Sequence, residues 1–196
     1  EAASSTGVTG ICGSGIIEVV AELWMAGLMD TDGVIAGAGR KPSDRIVPDG
    51  RTFSYVLFDP AELGFSGDRV LVTQNDIRAI QLAKAALYAG IRLLMDHLDV
   101  ETIDEIGLAG AFGSHIDTIR ATVLGLVPDC DPDRVTSVGN AAGAGAAIAL
   151  LSGSARRSIA EIVGHIEKVE TALEPAFQDH FVAAMAIPHR TADYPR

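Results

Sequence analysis

Cysteine is nearly absent: Cys12 and Cys130 are the only two in 196 residues, and no Cys-x-x-Cys pair occurs. The chain alone therefore cannot supply four thiolates to an iron–sulfur cluster or a structural zinc ion. Two isolated thiols instead fit a reducing cytoplasm. Basic runs are also missing. Arg156-Arg157 is the densest spot, and the net charge is -11. That balance argues against broad binding to nucleic acid or to an anionic membrane, both of which rest on basic patches. No apolar run approaches the roughly 18 residues of a membrane span, and no secretory signal pattern is present. A phosphate-binding loop is lacking too, because no glycine-rich stretch ends in Gly-Lys-Ser/Thr. No internal repeat or low-complexity segment appears.

What is present reads as a globular α/β chain. Hydrophobic residues make up 48% and charged residues 21%, enough for one well-buried domain or a domain with an insertion. Residues 1–9 are small and polar and are expected to be extended. The opening at Glu1 reads as a piece of something longer. Apolar residues at three-to-four spacing predict a helix over 16–29. Residues 31–72, rich in Gly, Pro, Asp and Arg, read as an insertion with short strands at 52–58 and 69–73. Thr73 with Asp76 forms a capping-box pattern and opens a long helix. Its expected apolar face is Ile77, Ile80, Leu82, Ala83, Leu87, Ile91, Leu94 and Leu98. A strand (103–108), a helix (117–124), a strand (134–138) and an alanine-rich helix (141–151) follow. That alternation predicts a parallel or mixed sheet with crossover helices. A helix over 158–173 and an apolar tail over 177–187 complete the chain, and Pro188 ends regular structure.

Two glycine-rich stretches are candidate ligand sites. Leu108-Ala109-Gly110-Ala111-Phe112-Gly113-Ser114 carries a strand into a turn with two glycines three apart. In open α/β sheets ligands bind at the carboxyl ends of strands, but the same residues also suit a plain strand-to-helix turn. Gly10-Ile11-Cys12-Gly13-Ser14-Gly15 opens the first helix and leaves N–H groups free for an anion or a hydroxyl. Its plainer reading is a Ser14 N-cap with glycines for packing. Cys12 reads as a small buried residue, since nothing places His97, His115, His165, His180 or His189 beside it. His115, next to the glycine turn, reads as a hydrogen-bonding loop residue. The stretch from Gly139 to Ala147 reads as a helix able to lie close against the sheet, with Asn140 as a secondary candidate. Arg78 and Lys84 on the long helix could face a nucleotide, and their plainer reading is as solvated residues. No catalytic or metal-binding residue stands out.

The order of glycine-rich helix starts resembles the second half of an actin-like ATPase, the superfamily of acetate and sugar kinases, chaperone ATPases and actin. Six blocks narrow this: residues 10–15, Thr73-Gln74-Asn75-Asp76-Ile77, residues 108–113, Gly125-Leu126-Val127-Pro128-Asp129, Val138-Gly139-Asn140 and Ala186-Ile187-Pro188-His189. Together they are similar to the carboxyl-terminal part of the reductive activators of corrinoid proteins. The resemblance implies a ribonuclease-H-like subdomain over 1–196 with a mixed sheet and a small α/β insertion. It also implies an ATP and Mg2+ site, with Gly110, Ala111, Phe112 and Gly113 at the adenine and ribose and Phe112 packed on the base. Gly13, Ser14 and Gly15 would meet the ribose or phosphate side. The family's ferredoxin domain with its [2Fe–2S] cluster, and both acidic phosphate loops, lie upstream of Gly10. Nothing here resembles Asp-Ile-Gly-Thr, so the chain alone is expected not to hydrolyse ATP efficiently.

The implied activity is reduction of a Co(II) corrinoid protein to Co(I) in a cytoplasmic methyltransferase system, driven by nucleotide-dependent affinity for that partner. Two other readings stand beside it. One is a degenerate actin-like docking module that binds its partner without ATP. The other is a small-molecule kinase of the same superfamily. A homodimer is compatible with all three.

Overall fold

The computed structural model describes residues 8–36, 40–113, 115–192 and 194, the side chains of Ala111, Phe112 and Ala172 excepted. Most of the opening stretch 1–9, and Ser114, fall outside those residues. Helix α1 spans Gly13–Met25 and stops where Gly27 turns left-handed at φ +73°. It ends earlier than its apolar periodicity predicts. Met29 instead bridges Ile35 around a tight turn in which Val34 N–H donates to Asp30 Oδ1 at 2.8 Å.

Residues 46–72 form a three-stranded antiparallel sheet in the order β1-β2-β3, with β1 at Ile46–Asp49, β2 at Thr52–Phe58 and β3 at Val70–Val72. A 3-10 turn at Pro60–Leu63, capped by Asp59, joins β2 to β3. Two residues of this sheet, Ser54 and Val56, are buried on alternate positions of β2, as a half-buried strand requires. Ile46, Tyr55 and Leu57 reach the main core, where Val72 is fully buried.

Helix α2 spans Gln74–His97. Its capping box is complete: Thr73 Oγ1 accepts from Asp76 N–H at 3.2 Å, and Asp76 Oδ2 accepts from Thr73 N–H at 2.8 Å. Removing the side-chain half of that pair with Thr73→Ala is expected to cost about 1 kcal/mol, read as a lower urea midpoint at unchanged slope. The buried face of α2 differs from the expected one. It carries Ile77, Gln81, Lys84, Ala85, Tyr88, Ala89, Leu93 and Met95, while Leu82, Leu87, Leu94 and Leu98 are exposed.

A parallel pair follows, β4 (Ile106–Ala109) beside β5 (Val135–Gly139). Between them run the single turn α3 (Gly110–Gly113) and helix α4 (Thr118–Leu124), which Asp117 caps through Arg120 N–H at 2.9 Å. Helix α5 (Ala141–Leu151) is capped by Asn140, whose Oδ1 accepts from Gly143 N–H at 3.0 Å. Capping thus accounts for Asn140. Contrary to expectation, α5 buries no residue against the sheet, and Ile148, Leu150 and Leu151 face outward. Ser152 caps α6, which spans Gly153–Val163 rather than 158–173. The expected apolar tail contains helix α7, Pro175–Ala183, started by a proline at its first turn.

The main core joins α1, α2, α4 and the inner face of the antiparallel sheet through Ile17, Val20, Leu23, Met29, Ile77 and Leu124. This mixed α/β architecture, with antiparallel and parallel sheets and helices, agrees with the expected fold class.

Candidate functional site

Gly110 begins α3 at the carboxyl end of β4, with φ +102°, and among the described residues a Cβ there would meet nothing within 4 Å. Its glycine is required by backbone conformation, while the space it faces is open. Gly113 differs. It is buried, and a Cβ would press on the Leu108 backbone at 3.1–3.2 Å. Close packing on its own strand explains that second glycine without a ligand. Ala111 and Phe112 lie between them in α3; their side chains are outside the described residues.

At the other candidate stretch the N-cap position of α1 is Cys12, with no side-chain cap bond. Ser14 therefore does not cap. Its hydroxyl lies 3.4 Å from Cys12 Sγ, and that contact, followed by backbone N–H groups, lowers the thiol pKa. Cys12 is exposed, not buried, and its contact is with a serine and not a histidine. Gly13 is exposed; Ser14 and Gly15 are half-buried. A Cβ on Gly15 would come within 2.8 Å of Ile11 Cγ1.

Gly15 also lines a cavity of about 540 Å³ between α1 and β2. Its apolar floor includes Val19, Leu23, Tyr55 and Leu57, and its rim carries Glu18, Glu22 and Arg120. Gly110 and Gly113 do not line it, so this cavity does not unite the two glycine stretches. Arg120 on α4 ties the helix that follows the Gly110 turn to α1. Its Nε donates to Glu22 Oε1 on α1 at 2.8 Å, and its NH1 donates to Asp117 Oδ2 at 2.9 Å. Glu22 first, then Asp117, hold the guanidinium charged. Sequence reasoning missed Arg120, because its partner Glu22 lies 98 positions away.

Among the described residues no group of three His, Cys, Asp or Glu is arranged to hold a metal. The thiols of Cys12 and Cys130, one exposed and one buried, form no cluster site. No described helix is long and apolar enough to cross a membrane.

Residues 2–196 match the family model described as the C-terminal domain of RACo, the ASKHA domain. The chain belongs to that family. It is 36% identical over 183 residues to the corrinoid activation enzyme RamQ of Eubacterium limosum, covering 90% of this chain and 30% of that protein. A solved structure, the reductive activator for corrinoid, iron-sulfur protein, superposes with a TM-score of 0.78 at 36% identity. The match covers 91% of this chain and 28% of the other. The chain thus spans about three-tenths of the length of these relatives. The family match and the fold agree with the resemblance carried by the six sequence blocks.

Proposed function

We propose that this chain is the nucleotide-cleft portion of an ATP-dependent reductive activator, whose target is a corrinoid protein of a cytoplasmic methyltransferase system. The observation that carries the reading is Gly110: a left-handed glycine at the end of a parallel strand, facing open space, in a chain of the RACo family. Strand ends of this kind take ligands in α/β sheets. In this reading Gly110 to Gly113 receive the adenosine of ATP and Gly13 to Gly15 the ribose or phosphate side. The N–H groups at the start of α1, of which those of Ser14 and Gly15 also face the Cys12 thiol, suit such a ligand. Arg120, bonded to both Glu22 and Asp117, keeps α1 and α4 in register on either side.

The two isolated thiols of this chain do not fit an iron–sulfur cluster, and in this reading a [2Fe–2S] group would be held outside residues 1–196 and would supply the electron chemistry there. This chain's part is nucleotide-dependent affinity for the partner. Differential binding of the corrinoid protein to two nucleotide states can offset an uphill transfer by as much as those affinities differ.

The same reading makes the chain the second half of an actin-like domain with residues 31–72 inserted. Two features support it. The β4–β5 pair is short for a sheet, and α5 offers Ile148, Leu150 and Leu151 to a further layer. Meanwhile β1 to β3 form a sheet of their own.

Calorimetry with ATP, ADP and Mg2+ tests the proposal on this chain and on a full-length family protein that contains it. Binding by the longer protein is expected, with little by the chain alone. Gly110→Val in the longer protein is expected to weaken ATP binding at least about tenfold. Gly50→Val serves as control, since Gly50 has φ +61° and open space but sits in the β1–β2 turn. Equal affinity in both variants overturns the Gly110 assignment. No ATP binding at full length leaves the docking-module reading.

A further inference from the structure

Helix α2 buries a lysine among carbonyl groups. Lys84 has no exposed surface, and its Nζ donates to the Ala186 carbonyl at 2.5 Å and to the Pro188 carbonyl at 2.6 Å. Among the described residues no carboxylate is bonded to this amine. One turn earlier, Gln81 Nε2 donates to the Met185 carbonyl at 2.8 Å and to the Asp32 carbonyl at 3.0 Å. Ile187 N–H donates to Thr31 O at 2.8 Å, and Tyr194 Oη–H to Val127 O at 2.8 Å. Residues 185–192 and Tyr194 therefore cross α2, the turn at residues 31–33 and the connection after α4, like a strap. The strap is held by these donors, by the buried side chains of Ala186 and Ile187, and by Met185 and Tyr194 packed against Ala85 and Tyr88.

We propose that this C-terminal strap is a releasable latch, closed by the neutral Lys84 amine and opened when that amine takes up a proton. The stoichiometry of hydrogen bonds supports it. A neutral amine has two N–H bonds, and two carbonyls accept them. An ammonium group brings a third proton and a full charge, and among the described residues no third acceptor or counter-ion is bonded there. Burial holds Lys84 well below its ordinary 10.5, at about 7.

The charged and titratable groups around it do not reverse this. On the strap, the His189 ring packs on Tyr88 at 4.7 Å between ring centres. Its Nδ1 accepts from Thr191 and Ala192 N–H. Burial first, then Lys84 and His180, lower its pKa to about 4, so it is neutral when Lys84 titrates. Arg190 on the strap reaches Asp32 at 3.5 Å, and His180 on α7 is paired with Asp96. Arg92 and Asp129 act on the Tyr88 phenol, and Asp129 also on that of Tyr194.

Amide hydrogen exchange on the whole chain tests the latch, read as protection factors at Ile187 and Arg190 and corrected for intrinsic exchange. Going from about pH 8.5 to about pH 6, protection at these amides is expected to fall roughly thirtyfold. That is the factor for an amine moving from about 7 when closed to 10.5 when open. Ile187 and Arg190 are expected to stay less protected than core amides such as Val20 at both pH values, as local release requires. Lys84→Met is expected to lose the pH dependence. Unchanged protection in the parent, or an undiminished response in Lys84→Met, overturns the proposal. If that variant does not fold, the Lys84 Cε chemical shift in the parent decides. Titration near 7 in step with the loss of protection supports the latch, and titration near the ordinary lysine value overturns it.

Discussion

The Gly125→Ala chain is expected to melt about 10 °C below the parent, a loss of about 3–4 kcal/mol. Two costs act at one residue. Gly125 ends α4 with φ +72°, where a Cβ strains the backbone. That Cβ would also overlap the Pro188 carbonyl, a backbone atom with no flexible side chain to move aside. Relief would require displacing the strap, and with it the bonds from Lys84. Scanning calorimetry of the two chains measures the loss. A shift under about 3 °C would mean that α4 and the strap are not in contact.

Raising the pH from about 6.5 to about 9 is expected to stabilise the chain by about 2.5 kcal/mol through Lys84 alone. The sign follows from its folded pKa of about 7, below the ordinary 10.5. Between those values the folded chain holds fewer protons than the unfolded one, so stability rises with pH through that window. His189 acts in the same direction lower down, because its folded pKa of about 4 lies below 6.5. The buried phenols of Tyr88 and Tyr194 reverse the trend above the usual tyrosine range, since burial keeps them protonated in the fold. Urea unfolding at the two pH values provides the measurement, and Lys84→Met is expected to flatten the rise. A parent chain with equal stability at both values would place a charged amine in the closed state.

Local signals carried much of this fold, and they failed where distant partners decide. The Thr73–Asp76 pair marks the start of α2 because both halves of the cap lie within four residues. The face of α2 was misread for the opposite reason. Gln81 and Lys84 look like solvent residues, yet their acceptors at Asp32, Met185, Ala186 and Pro188 lie up to 104 positions away. Strand β1 escaped notice because it is short and holds Pro48. Helix α6 starts early because Ser152 caps it, a signal hidden in a small-residue stretch that also reads as loop. At the candidate site, spacing located both glycine turns. It could not separate Gly110, which conformation requires, from Gly113, which packing requires.

The parallel pair β4–β5 and helix α5 contribute little to the buried interior, although β4 leads directly into the Gly110 turn. Sub-global opening begins where buried contacts are fewest, so this edge is the first part to loosen while α1 and α2 stay folded. Any molecule that settles on the turn of this chain by itself must supply the ordering free energy of that edge. Its measured affinity will understate the contacts it makes. Folding of the sheet edge and occupation of the turn then become a single event, sensed as far away as β5.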